Sequence, residues 1–385
     1  MNLFKNKKVF FVSYSEVFFE DILEQFLKTS LVKLEDLVVV NYKISCEKVQ
    51  VYYPNSLLLI DIEIVDIQYL CEADMIFFLS LHKWNSVYAE EILYKFKYPV
   101  ESFYIILFDD EVDRWMKSFD QYSFLSADDK LLIAQNDINV LSIVNNFIGL
   151  MSMERNISKM LKRNIHMFEI LYPFWLIEEK HYPLIEEFME TRKMKRKVDE
   201  FSILYGTKPQ SIENTKVFLK EIIFFLLKRK NFRKQLTLFL WINPIEFKNY
   251  FIWHLMMLIK IIAKSKGLQL NIKFIYRQPK LSYFIQLLSI DTIIMQERGG
   301  FSSLFQYLEF GGKVLVDKVC TNRTFLDSYN LTYVPFETTE KLCEIILTKD
   351  KYDVNKIDDN CDKIEKIRED RQNSLRNFLN HKGTI

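Results

Sequence analysis

Short apolar runs alternate along this sequence with longer stretches whose apolar residues recur at helical spacing. Parallel strands joined by crossover helices answer to that rhythm, because parallel neighbours cannot be linked by a two-residue hairpin. The chain is therefore expected to be α/β. In the first half, strands are predicted at Lys8–Ser13, Leu37–Asn41, Leu57–Ile62, Met75–Ser80 and Phe103–Phe108, separated by helical patterns such as Val17–Lys28 and Ser86–Lys97. These five strands are expected to complete one sheet.

The rhythm breaks after residue 165, where Pro173, Pro183 and the dense basic charge of Arg192–Lys197 interrupt it. It restarts with strands expected at Phe201–Gly206, Leu236–Ile242, Leu270–Tyr276, Asp291–Gln296 and Lys313–Asp317, and helices at Tyr250–Lys266, Leu281–Leu288 and Ser302–Phe310. At 385 residues the chain exceeds one ordinary core. The expected organisation is a Rossmann-like domain over 1–165, a connection over 166–200, a second Rossmann-like domain over 201–350 and a charged helical tail over 351–385, with the two domains facing across a cleft. Two readings of the tail stand side by side: a helix packed back across the hinge, or a solvated helix.

Composition excludes some functions. The 52 Lys and Arg balance 51 Asp and Glu, so no one-signed field draws the whole protein to nucleic acid. The five cysteines show no CxxC or zinc spacing, and the N-terminal apolar run lacks a cleavage site, which together suggest reduced thiols in a cytosol. No segment reaches the ~18–20 apolar residues that cross a bilayer; the nearest, Phe251–Ala263, is interrupted by His254, read as a core histidine, and Lys260. The expected location is the cytoplasm, with the basic runs Arg192–Lys197 and Lys228–Lys234 offering a peripheral contact at the inner face of the membrane.

Four of the eight glycines fall in QERGGFSSLFQYLEFGGKVLVDK: Gly299, Gly300, Gly311 and Gly312. The first pair sits at a strand-to-helix turn, where a bare backbone, the first-turn N–H groups and the helix dipole together favour a phosphate. Ser302 and Ser303 would add hydroxyls there and Arg298 a cation. The second pair ends the helix as C-cap glycines. Neither a P-loop nor a dinucleotide fingerprint occurs, and a plain βαβ turn remains an alternative. Two other strand ends point the same way: Gly206-Thr207-Lys208, a small turn with a hydroxyl and an amine, and Tyr276-Arg277-Gln278, with an aromatic face, a guanidinium and an amide suited to a nucleobase. A simple surface turn is the alternative for each.

Glu297-x-x-Gly300, a helix containing Glu309, and then Gly312-Lys313-Val314 resemble the late C-terminal motif of the GT-B glycosyltransferases. More narrowly, ERGGFSSLFQYLEFGGKVLVDKVCTNRTFLDSYNL is similar to a segment of the bacterial Fuc4NAc transferase family, which completes a lipid-linked intermediate of enterobacterial common antigen. The resemblance implies a nucleotide-diphosphate sugar as donor, held by the second domain, a glycan or lipid-linked acceptor held by the first, and neither a metal nor a separate cofactor. Direct displacement would need a base for the acceptor hydroxyl. The candidates are Asp109, Asp110 and Glu111 after the strand FYIILF, Glu16 after the first strand, and His82 after MIFFLS. In place of a glycine-rich loop after the first strand the chain has Ser13-Tyr14-Ser15-Glu16. Two further readings stay open: a non-catalytic GT-B-like partner or scaffold in a glycosylation or secretion complex, and a phosphate-binding enzyme of another doubly wound family.

Overall fold

The structure is a computed structural model. It describes residues 3–16, 18–44, 55–108, 112, 115, 134–172, 177, 181–195, 200–210, 212–242, 250–276, 278–296, 300–320, 322–348 and 358–382. The chain divides into two compact units, one of Met1–Phe174 with Ile367–Ile385 and one of Trp175–Lys366.

The first unit holds seven strands: β1 (Lys8–Ser13), β2 (Leu37–Tyr42), β3 (Leu58–Asp61), β4 (Met75–Leu79), β5 (Phe103–Ile106), β6 (Asn146–Ile148) and β7 (His166–Phe168), in the order β3-β2-β1-β4-β5-β6-β7. All neighbours are parallel. The sheet is thus two strands wider than the five apolar runs suggest. Strands β2, β4 and β5 are buried along their whole length, as a sheet covered on both faces requires. Aromatic rings stack across register partners on both faces, Phe10 on Phe77 at 4.7 Å and Phe11 on Phe78 at 4.2 Å, and Phe77 on Tyr104 at 5.2 Å. These are the cross-strand pairs that stabilise a sheet face. The helical pattern Ser86–Lys97 resolves into an α-helix, Ser86–Glu90, that continues as a π-helical turn, Glu91–Lys95.

The second unit holds β8 (Glu200–Gln210), β9 (Gln235–Ile242), β10 (Gln269–Ile275), β11 (Thr292–Met295), β12 (Lys313–Asp317) and β13 (Val334–Phe336), again all parallel, in the order β10-β9-β8-β11-β12-β13. Its helices include Ile212–Lys228, Tyr250–Ser265, Lys280–Leu288, Phe301–Glu309 and Thr339–Leu347. Pro335 pairs with Val316 in β13, which as an edge strand has a side with no ladder to lose. A Cβ on Gly312 would stand 2.3 Å from the Tyr307 ring and 2.4 Å from the Tyr307 carbonyl, so the glycine lets the chain turn tightly off the helix into β12. The solvent-exposed His254 departs from its expected place in the core.

Helix Asp358–Lys382 settles part of the question about the tail. It is not a solvated helix: Asn360, Ile364, Ile367, Arg371, Leu375 and Phe378 are all buried, three or four residues apart on one face. In the second unit, Asn360 exchanges two hydrogen bonds with the backbone of Thr332, at 2.7 and 2.9 Å. In the first, Leu375, Phe378 and Leu379 join the core beside Phe10, Phe77 and Tyr104. There Arg371 meets Glu169 at 3.0 Å and also donates to the Glu169 carbonyl. Burial pushes the Glu169 carboxyl up and the Arg371 guanidinium down, and each partner offsets only part of the other's shift. A buried pair of this kind costs most when broken from one side. Arg371→Met alone is expected to destabilise the first unit by about 3–5 kcal/mol, and Glu169→Leu combined with Arg371→Met to recover most of that loss. Urea denaturation of both variants measures it.

Candidate functional site

In an open parallel sheet the place where strand order reverses leaves a crevice at the carboxyl edge. The second sheet reverses between β8 and β11. Strand β8 pairs with β11 up to Tyr205, opposite Ile294. Beyond it the ladder with β9 breaks: Tyr205 pairs with Leu240 and Gln210 with Ile242, so Gly206–Pro209 bulge out opposite Trp241 alone. Gly206 takes φ 80°, in the left-handed region that favours glycine. Thr207 and Lys208 lie in this bulge.

The Tyr205 ring stacks on Phe218 at 4.0 Å, and its hydroxyl donates to Gln296 Oε1 at 2.8 Å. This pair ties the two strand ends together, and the sequence reading missed it: Tyr205 and Gln296 become neighbours only through parallel pairing. After Gln296 the chain enters helix Phe301–Glu309 through Gly300, an N-cap in extended backbone with no side chain to serve the first turn. The helix thus follows β11, the neighbour of β8 at the reversal, and carries the positive end of its dipole at its first turn. Arg277, Glu297, Arg298 and Gly299 lie outside the described residues.

The other expected contacts sort unevenly. Ser302 is half-exposed on the first turn. Ser303 is buried and hydrogen-bonds the Tyr283 hydroxyl, which burial pushes up and this bond draws back; it packs the helix and does not face the turn. Glu309 closes the same helix, about 12 Å from its first turn at 1.5 Å per residue, so it does not share a seat with Gly300. Tyr276 stands exposed at the carboxyl end of β10, three strand spacings or about 14 Å from β11. The Gln278 amide is already bonded to Gln286.

The first sheet reverses between β1 and β4. Here the Ser13–Glu16 turn is closed by its own side chains: Ser13 Oγ accepts from the Ser15 N–H at 3.1 Å and lies 2.9 Å from Ser15 Oγ. Glu16 N–H donates to the Ser13 carbonyl, and Glu16 Oε1 caps the Phe18 N–H at 3.0 Å. Glu16 is thus a cap within the turn, which speaks against a base. Tyr14 donates to Asp61 at 2.6 Å.

Beyond β4 the buried Asn85 donates to the Ser80 carbonyl and the Tyr42 hydroxyl and accepts from the His82 N–H. The Trp84 N–H donates to His82 Nδ1 at 3.3 Å, so the neutral ring carries its proton on Nε2, 3.1 Å from the Tyr42 hydroxyl. With both ring nitrogens engaged, His82 positions the loop and offers no lone pair to an acceptor hydroxyl. Asp109, Asp110 and Glu111 follow β5 and lie outside the described residues.

Other chemistry finds little support. Burial pushes the thiols of Cys71 and Cys320 up to about 11 and that of Cys343 to about 12, which leaves them protonated and unreactive. Among the described residues no group of three or more His, Cys, Asp or Glu stands together as a metal site. A cavity lined by Glu101, Asn145, Asn146 and His166 lies beside the amino ends of β5 to β7, on the opposite edge from the switch point.

No protein-family model matches the chain, and no curated protein matches its sequence. Solved structures do match. An OtsA apo structure superposes with a TM-score of 0.60 at 9% identity, over 99% of this chain and 100% of that one. The lipopolysaccharide outer core galactosyltransferase WaaB does so with 0.55 at 11%, over 97% and 98%. The N-terminal domain of a Candida albicans trehalose-6-phosphate phosphatase gives 0.56 at 11%, over 98% and 96%. At such identities the likeness establishes the fold, the two-sheet α/β architecture of the GT-B class.

Asn85 supports an expectation. Asn85→Ala leaves the Ser80 carbonyl and the His82 N–H without their partner and is expected to cost about 2–3 kcal/mol. Thermal unfolding measures the loss, and 15N NMR of His82 should show mixed ring tautomers in the variant.

Proposed function

We propose that the chain is a glycosyltransferase that moves a sugar from a nucleotide-diphosphate donor to a glycan or lipid-linked acceptor. The observation that carries this reading is the switch point of the second sheet. Strand β8 leaves its ladder at Gly206, and the helix that follows its neighbour β11 opens at a side-chain-free N-cap; a helix start of this kind suits a diphosphate. Arg298 supplies a cation to that group, and Tyr276 a face for the nucleobase. The helix terminus and basic side chains offset the leaving charge without a metal. The acceptor belongs to the first unit, and one of Asp109, Asp110 and Glu111 takes its proton. The WaaB likeness agrees with a role in bacterial surface polysaccharide synthesis.

A second reading, a non-catalytic partner that keeps the fold, has its own support in the Ser13–Glu16 turn. Its side chains close a loop that a glycine-rich sequence would leave open to a ligand.

Thermal shift with UDP, GDP and dTDP separates the two. One nucleotide at 100 times its dissociation constant is expected to stabilise the protein by about 2.7 kcal/mol, and Arg298→Ala to weaken its binding about tenfold or more. No response to any of the three favours the partner reading. Where transfer is detected, Asn or Gln replacement of the true base among Asp109, Asp110 and Glu111 is expected to lower kcat by about 100-fold or more with nucleotide affinity unchanged.

A further inference from the structure

We propose that helices Ile212–Lys228 and Tyr250–Ser265 of the second unit form a face that docks on the surface of an anionic lipid bilayer. Helix Tyr250–Ser265 is apolar on both sides. Ile252, Leu255, Met256, Ile259 and Ala263 point into the core. The opposite side, at 100° per residue, carries Trp253, Met257 and Ile261 one turn apart, with Phe251 and Leu258 beside them. All are exposed, Met257 by 63% and Ile261 by 64%. His254 lies on this same side, which is why an apolar helix leaves it outside the core.

The neighbouring helix adds Val217, Phe224 and Leu227 to the exposed set. The ammonium groups of Lys216 and Lys220 lie 5.6 Å from the Phe251 ring, which brings the two stripes into one patch. A helix apolar all round is ordinarily covered by protein or lipid, and contiguous apolar patches of this kind mark interaction sites.

Charge identifies the occupant. Between Ile212 and Ile290 the sequence carries fourteen Lys or Arg against three acids, Glu213, Glu221 and Glu246, of which Glu213 is paired with Lys216, while the rest of the chain carries 38 against 48. Helix Tyr250–Ser265 has no acidic residue, and the exposed Lys260 and Lys264 flank its apolar stripe. A second copy is a poor occupant, because a two-fold contact would set these cations against themselves. Nucleic acid answers the charge and can stack a base on Trp253, but offers no apolar medium to Val217, Leu227, Met257 and Ile261. An anionic bilayer surface meets both demands, headgroups for the lysines and an acyl boundary for the apolar stripe. The helix's 16 residues fall short of a span, and among the described residues no helix is long and apolar enough to cross a membrane. The helix therefore lies in the plane of the interface. This inference stands apart from the sugar-transfer reading and holds whether or not the chain is an enzyme.

Sedimentation of the full chain with vesicles tests it. Binding is expected with vesicles of phosphatidylcholine and phosphatidylglycerol, and to be about tenfold weaker or more with phosphatidylcholine alone or in high salt. Met257→Asp with Ile261→Asp should lower binding by about tenfold or more with Tm unchanged, since both side chains are already in water. Leu184→Asp, at an exposed leucine on another helix, should leave binding intact. Failure of the wild type to bind the anionic vesicles, or equal binding by the Met257 and Ile261 double variant, overturns the proposal. So does a wild-type dimer in solution that the double variant dissociates, which would assign the face to a second copy, or capture of an acidic protein that displaces vesicles.

Discussion

Parallel hydrogen-bonded pairing is the constraint on which this molecule rests. Because neighbouring strands run the same way, each needs a crossover, and every strand ends on the same edge of its sheet. The first strand of each sheet has neighbours reached by crossovers in opposite directions, β2 and β4 in one and β9 and β11 in the other. Residues in or just after the carboxyl ends of those strands gather at the reversal: Ser13, Tyr42 and His82 in one sheet, Tyr205, Gly206 and Gln296 in the other.

The two reversal points are built differently. In the second sheet the chain opens backbone: a bulge at Gly206–Pro209 and a helix start at Gly300 with no capping side chain. In the first, side chains close the same place. Ser13, Ser15 and Glu16 satisfy their own turn, and Asn85 binds three neighbours around His82. One edge is shaped by backbone, and the other is filled by hydrogen bonds among its own side chains.

Much of the fold was legible because β1 and β12 are apolar runs bounded by polar residues, and both run as expected, Lys8–Ser13 and Lys313–Asp317. Strands β6, β7 and β13 were not legible. At three residues each, and with Asn146, His166 and Pro335 among them, they make no apolar run and exist through their partners. The glycine turn was visible in sequence as a place, but its company was not. Nothing in local spacing tells that Ser303 turns toward Tyr283 or that Tyr205 reaches Gln296. The apolar helix Tyr250–Ser265 misled for a related reason, since apolar periodicity reports a wish to avoid water and does not say what does the covering.

The last helix has a consequence for how this chain is made. Residues from Ile367 onward belong with the first unit, and Leu375 and Phe378 pack beside Phe10 and Phe77. A ribosome releases those residues only after the whole of Trp175–Lys366 has emerged, at about 5–20 residues per second. The middle of the chain can therefore finish folding while its beginning still waits with an open apolar seam, and vectorial synthesis here runs against the usual order of domain completion.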